Sequence, residues 1–581
     1  MGGVRDDRGV LVLLAPPEPG APGVAAARVE GGEGLRPGAV LGPERAARWV
    51  WADTSGWYPH LLTDGVRVER CLDLRLSHRI LRFATPAWQA TAGPFDDAPP
   101  SPVAVPDEAR TLFDDDDAST PPAEAVPTGP AMEACAREVA AQDDAVAGAD
   151  EPGRLRLLLA GESAGALAAA EMNHTGLPWD AAVHDRVLSD LLGPRPPRGE
   201  RPAALARLAA QIRDALDAPA LNPDSLPHVL RALRRAGLPA TSTRSWELST
   251  IDHPAVAPLL AYKKLSRLHS ANGWAWLDTR VHDGRFRPDY VVGGVVTGRW
   301  SSVGSGALQL PRQLREAVRA DPGWSLVVAD AAQLEPRVLA GMSRDARMTE
   351  AGAGRDLYQG MVDAGVVAER DQAKIGMLGA LYGGTTGASA AVLPRLLQAY
   401  PDATGFVEAA ARAGERGERV RTLLGRTSPP PGDAWARTQA GALDPDAGDD
   451  EASLARSQAR AWGRFTRNFV VQGTAAEWAL CWIAELRRRL WSLGSDEDAP
   501  GAVPAPFVGR PHLVYFLHDE IVVHTPTSLA GEVAEHVADA AAAAGRLLFG
   551  DQPAQFPVSV GVARSYAAAK DAARLPWQAP G

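Results

Sequence analysis

Two apolar runs that carry acid constrain what this 581-residue chain can fold into more than any other feature. WSLVVAD brings Asp330 to the end of a strand-like stretch, and HLVYFLHDEIVVH sets His518, Asp519 and Glu520 between apolar residues on both sides. The second run reads as two short antiparallel strands joined by a tight turn, with the acids at its tip. Aspartate is common at turns, so either acid taken singly is compatible with an ordinary turn residue. Two carboxylates among apolar strands are costly unless positive charge balances them, which makes a cation site the other reading.

Charge and cysteine usage narrow the chemistry. The formal net charge of -11 is unevenly placed. Residues 94–152 hold fifteen Asp and Glu against Arg110 and Arg137, and residues 432–451 hold six acids against Arg437. The remainder is mildly basic, so a positive cleft for nucleic acid is compatible with the total. Cys71, Cys135 and Cys481 are too scattered for a disulfide framework or a zinc spacing, which leaves oxygen ligands for any metal. No apolar run approaches the roughly 18–20 residues of a bilayer span. The N-terminus MGGVRDDRGVLVLLAPPEPG also lacks the pattern of a signal peptide, so a cytoplasmic protein with no membrane partner is expected.

Along the chain, FDDAPPSPVAVP and DDDDASTPPAEAVPTGP mark residues 94–152 as a Pro-, Ala- and acid-rich linker expected to be disordered. A small α/β-like segment precedes it. After it, LRLLLAGESAGALAAAEMNHTG and RPAALARLAAQIRDAL have the spacing and alanine content of helices. In ERDQAKIGMLGALYGG, Arg370, Lys374, Leu378 and Tyr382 recur every four residues along one helix face, with Gly383 and Gly384 as a stop. Two cations and an aromatic so placed could grip a phosphate chain and stack on a base. A solvated cationic face with a tyrosine anchor has the same spacing.

Together these segments resemble the A family of DNA polymerases. The family motif DYSQIELR is written here DAAQLEPR at residues 330–337, and RxxxKxxxFGxxYG is written RDQAKIGMLGALYG at 370–383. The family's HDE within a hairpin is residues 518–520. TGRWSS (297–302), LLGR (423–426), RFTRNFVVQGTAAE (464–477) and the terminal VSVGVARSYAAA follow the family's order, so the resemblance spans about residues 171–570. It implies an α+β right-hand polymerase, with a thumb at 153–290, a palm at 291–345 and 501–581, and fingers at 346–500 carrying an insertion at 427–452.

The implied activity is template-directed addition of deoxynucleotides to a primer 3′ end, in repair or replication. Two Mg²⁺ ions about 3.5–4 Å apart, replaceable by Mn²⁺, would lower the hydroxyl pKa and stabilise the leaving pyrophosphate. Asp330 and Asp519 are the implied metal bridges, the Ala331 carbonyl is a further ligand, Glu520 is a helper acid, and His518 approaches the primer terminus. The resemblance assigns Arg370, Lys374 and Gln333 to the incoming triphosphate, with Lys374 as proton donor to pyrophosphate. Leu378 and Tyr382 fall to the nucleotide, and Glu335 lies beneath the 2′ position, where it excludes a ribose hydroxyl. Arg299 and Gln309 contact DNA, Arg299 through minor-groove acceptors that vary little with sequence. Arg464, Asn468 and Gln472 line the template side. Expected partners are primer-template DNA and deoxynucleoside triphosphates, for a monomer associated with the bacterial nucleoid.

The chain departs from the family pattern at Ala331, Ala332, Leu334, Pro336 and Leu378, none of which removes a metal ligand. Pro336 is expected in a first helical turn, where its missing N–H has no partner to lose. Residues 1–93 are expected to be a degenerate RNase-H-like 3′–5′ exonuclease domain. LLAPPEP has no Asp two residues before Glu18, and Trp57 stands where a later acid belongs, leaving Asp53 and Asp73 as inherited candidates. Two other readings remain. One is a single-subunit RNA polymerase, against which Glu335 speaks. The other is a catalytically silent DNA-binding repair factor, against which the retained metal acids, Arg370 and Lys374 speak.

Overall fold

The strand Trp324–Ala331 lies inside a four-stranded antiparallel sheet, in the order His512–Leu517, Glu520–Pro526, Trp324–Ala331, Val558–Ala563. The structure is a computed structural model, and it describes residues 11–15, 25–29, 36–37, 48–85, 88, 95, 132–302, 310–383, 388–444, 448–501 and 503–575. Successive residues of the strand enter two different cores. Val327 and Ala329, paired with Val523 and Ile521, join one cluster, while Val328, paired with Val522, joins the other. Burial on both faces is why the run is continuously apolar and does not alternate. On one side stand the 45-residue helix Asp449–Leu493 and the helix Ala530–Phe549; on the other, the short helix Tyr566–Ala572 packs against the same strand.

The expected hairpin is present. Leu517 pairs with Glu520, so only His518 and Asp519 form the turn, and His518 takes a left-handed φ of 56°. After Trp324–Ala331 the chain turns through Gln333, also left-handed at φ 49°, into the helix Leu334–Ser343. Pro336 falls in the first turn of that helix, where the N–H groups have no intrahelical acceptor. The helices Leu357–Asp363, Arg370–Tyr382, Ala388–Ala399 and Pro401–Glu415 follow, and the last packs along Asp449–Leu493.

One expectation, the disorder of residues 94–152, needs correction. The linker expected over 94–152 includes a helix, Met132–Ala147. Its inward face presents Cys135, Glu138, Gln142 and Val146 at helical spacing. Glu138 meets His78 Nδ1 at 2.8 Å, and Gln142 Nε2 donates to the Leu74 carbonyl at 2.9 Å. Half of this buried face is polar, so apolar periodicity could not reveal it. The insertion expected over 427–452 contains the helix Asp433–Gly441, and its last residues belong to Asp449–Leu493. Asp449, Asp450 and Glu451 occupy the first turn of that long helix, where the helix dipole favours acids.

The N-terminal unit has a mixed sheet in the order Arg36–Pro37, Ala25–Val29, Leu11–Ala15, Arg48–Trp51, Arg70–Asp73. The first three strands are antiparallel, and the last two run parallel to Leu11–Ala15. A buried polar cluster fastens this unit to the rest. Tyr58 Oη donates to Glu171 at 2.6 Å, Arg487 reaches both Glu171 oxygens at 2.6 and 2.8 Å, and Arg487 Nη1 donates to the Glu69 carbonyl at 2.9 Å. Burial alone would raise the pKa of Glu171, but Arg487 and Arg67 hold its carboxyl below the ordinary value. Removing one partner of such a buried ion pair costs about 3–5 kcal/mol. Among the described residues no helix is long and apolar enough to cross a membrane.

Candidate active site

The sheet register brings the acids of the two runs together. Asp330 lies opposite Glu520, and the Ala331 amide donates to the Asp519 carbonyl at 2.8 Å, so the end of the strand is tied to the hairpin tip. Burial, and then the neighbouring Asp330 charge, push the Asp519 carboxyl up to about 7. Glu520 has partners of its own: it accepts from Tyr566 Oη at 2.5 Å and lies 3.9 Å from Arg315. Lys570 Nζ stands 3.0 Å from Asp330 Oδ2 and 3.0 Å from Glu520 Oε1.

The acids fit a hard divalent cation by their chemistry. Asp330 and Asp519 are all-oxygen donors whose like charges penalise each other until a cation comes between them. Among the described residues no group of three or more His, Cys, Asp or Glu is arranged to hold a metal. His518 is half-buried, and burial followed by the Arg299 charge lowers its pKa to about 4, so the ring is neutral near pH 7.

The helix Arg370–Tyr382 presents the predicted face. Lys374 is exposed, Leu378 is half-buried, and Arg370 Nη2 is held by Asp356 Oδ2 at 2.8 Å. Asp356 caps the helix Leu357–Asp363 and also accepts from Gln333 Nε2 at 3.1 Å. Gln333 Oε1 in turn accepts from Arg337 Nη2 at 3.2 Å. The buried Arg337 guanidinium further donates to the carbonyls of Ala332, Gly352 and Arg355. Gln333, assigned to the triphosphate, thus spends its amide on the protein in this state. Asp356 was not anticipated; an Asp before the apolar start of a helix, in GRDLYQ, is the N-cap signal that could have found it.

Glu335 joins three motifs. One of its oxygens accepts from Tyr382 Oη and the other from Arg299. Burial, and then the Glu335 charge, raise the Tyr382 hydroxyl well above its ordinary range. Arg299 follows Gly298, whose φ is 88° and where a Cβ would lie 2.7 Å from Arg426 Nε. A side chain there would collide with a guanidinium that is buried and paired with Glu162. Arg299, Glu335, His518 and Asp519 line one small pocket.

On Asp449–Leu493, Arg464 is exposed while Asn468 and Gln472 are half-buried, at four-residue spacing. The Arg464 stem packs at Gly383, where a Cβ would lie 3.0 Å from its Cγ; this places Arg464 beside the C-terminus of Arg370–Tyr382. Gln309 lies outside the described residues, as does Glu18. Sequence reading missed Lys570 and Tyr566. Their signal is the four-residue spacing in SYAAAKD behind a serine that caps the helix.

Asp53 and Asp73, the acids expected to be inherited from an exonuclease, serve as helix caps. Asp73 accepts from Thr54 N and Oγ1 at 2.7 and 2.6 Å and from Leu76 N at 2.9 Å. Asp53 accepts from Ser55 N at 2.8 Å and from Arg75 at 2.7 Å. Trp57 is buried in the core.

The family model of DNA polymerase family A matches residues 225–568. The thermostable DNA polymerase I of Thermus thermophilus is 28% identical over 392 residues, covering 62% of this chain and 42% of the relative. DNA polymerase I of Chloroflexus aurantiacus is 27% identical over 330 residues, covering 52% of this chain and 31% of the relative. The chain therefore spans less than half the length of these relatives. Among solved structures, the POL domain of Pol1 from M. smegmatis, in complex with DNA primer-template and dNTP, matches with a TM-score of 0.58 at 22% identity. That match covers 76% of this chain and 75% of the other, and the shared fold is that of a right-hand polymerase.

Proposed function

The chain belongs to DNA polymerase family A, and from that premise we propose that it extends a primer 3′ end by template-directed addition of deoxynucleotides, in repair or replication. The observation that carries this reading is the meeting of Asp330 and Asp519 at one end of the sheet, with burial and mutual repulsion raising Asp519 to about 7. Mg²⁺, or Mn²⁺ in its place, would supply charge stabilisation at the α-phosphate and a lower pKa at the primer hydroxyl. Asp330, Asp519 and the Ala331 carbonyl would hold it.

The rest falls to the chain's own side chains. Lys374, exposed on its helix face, binds triphosphate oxygens and donates a proton to the leaving pyrophosphate. Arg370 exchanges Asp356 for phosphate oxygens, and Gln333 assists from the turn before Leu334–Ser343. Tyr382 and Leu378 cover the nucleotide, Glu335 fills the space a 2′ hydroxyl would need, and His518 approaches the primer terminus as a neutral ring. Arg299 reads the primer end, and Arg464, Asn468 and Gln472 follow the template. The partners in this reading are primer-template DNA and deoxynucleoside triphosphates, bound by a monomer at the nucleoid, with the thumb, palm and fingers divided as the resemblance implies.

Residues 1–93 act as a scaffold without proofreading. Support comes from Asp53 and Asp73, whose oxygens are taken up by helix caps and by Arg75. A labelled primer with a mismatched 3′ end, incubated with Mg²⁺ and no nucleotide, should stay full length; stepwise shortening that Asp73→Ala abolishes would overturn this.

Asp519→Ala tests the polymerase reading. Primer extension should fall on the order of 10²–10³-fold or more, while binding of primed template stays close to that of the parent. Equal loss of both would mean a damaged fold. Undiminished extension would remove Asp519 from the chemistry.

A further inference from the structure

Lys570 stands inside the acid cluster, and the resemblance gives it no role. Its ammonium bridges Asp330 Oδ2 and Glu520 Oε1, 3.0 Å from each. The helix that carries it, Tyr566–Ala572, is held rigidly. Ser565 caps it through the Ala568 amide and donates to Glu316 Oε2 at 2.8 Å. Tyr566 is buried beneath the Arg315 guanidinium, 4.8 Å from the ring centre, and donates to the same Glu520 oxygen that Lys570 contacts. Tyr566 and Lys570, four residues apart, therefore work from one helix face. Among the described residues Asp519 has no ion-pair partner within 4.0 Å, and Glu520 is engaged by the helix through Tyr566 and Lys570.

We propose that Lys570 is the resident counter-cation of the site: it holds Asp330 and Glu520 in place and must yield Asp330 Oδ2 before a divalent cation takes that oxygen. This rests on reading Asp330 and Asp519 as metal-binding carboxylates. A positive charge at this position weakens metal binding twice, by repelling the ion and by occupying an oxygen the ion needs. The DNA-free protein consequently binds divalent cation weakly, and firm binding waits for the triphosphate, whose oxygens supply both negative charge and ligands. Lys570 is a positioning residue, and its effect is read on the metal.

The test measures Mn²⁺ binding to the full-length, DNA-free protein, by the electron paramagnetic resonance signal of free Mn²⁺, for the parent, Lys570→Met, Lys570→Arg and Asp519→Asn. Lys570→Met should bind Mn²⁺ about tenfold more tightly than the parent, and Lys570→Arg, which keeps the charge, should stay near it. As a second readout, the rise in Tm on adding Mn²⁺ should be larger in Lys570→Met. Equal or weaker Mn²⁺ binding by Lys570→Met, with no larger rise in Tm, overturns the role of the lysine. Mn²⁺ binding that is unchanged in Asp519→Asn overturns the metal reading beneath it, which separates the two failures.

Discussion

In the proposed reading the choice of sugar falls to one side chain, Glu335. Its two oxygens are shared between Arg299 of the TGR loop and Tyr382 at the end of Arg370–Tyr382. The carboxylate is thereby fixed at the floor of the pocket that His518 and Asp519 also line. Glu335→Ala would open that floor and leave Arg299 and Tyr382 without their partner. The preference for deoxyribonucleotides over ribonucleotides, read as the ratio of kcat/KM values, should then fall roughly tenfold or more. An unchanged ratio would remove Glu335 from sugar selection and reopen the single-subunit RNA polymerase reading. The residue was legible because it sits at a fixed offset from Asp330 within one motif. Its partnership with Arg299 was not, since nothing local joins positions 299 and 335. The Arg370–Asp356 pair was hidden for the same reason, and Lys570 because its meaning depends on a register between strands more than two hundred residues apart in sequence.

At the scale of elements, the loop carrying Arg299 rests on charge held by other segments. Arg426, from the LLGR turn, lies under Gly298 and pairs with Glu162 of the helix Pro152–Thr175. Glu477 of Asp449–Leu493 accepts from Thr422 Oγ1 and, at 3.0 Å, from the Leu424 amide of the same turn. Burial pushes Glu477 from 4.5 up to about 7, against the opposing effects of these bonds and of Arg426. A carboxyl whose folded pKa is raised binds its proton more tightly when folded, so its stabilising contribution is complete below about 4.5 and is lost as pH rises through about 7. Glu477→Gln should therefore flatten the dependence of stability on pH across that window, measured as urea unfolding midpoints at several pH values. A slope as steep as the parent's would assign the effect to another group. The strands around Asp330 and Asp519 were readable because β-branched runs, acids and a two-residue turn agree with one another. Met132–Ala147 was not, because Glu138 and Gln142 supply its buried face through hydrogen bonds.

For the whole molecule, the right-hand architecture followed from the order of motifs along the chain, and the family match covers the region where those motifs lie. The attachment of the N-terminal unit could not be read that way. Tyr58, Glu69, Glu171 and Arg487 come from three distant segments and form one buried cluster, and no single segment announces it. That cluster gives the N-terminal unit a structural reason to persist while its Asp53 and Asp73 serve as helix caps. The central claim is that the sheet and the four-residue face of Arg370–Tyr382 form one centre for copying DNA. The most direct test is single-nucleotide addition by the purified protein with Mg²⁺, on primed templates that present each of the four bases in turn. The expected result is addition of the complementary deoxynucleotide on each template. A folded protein that binds the primed template but adds nothing, or adds without regard to the template base, would contradict it.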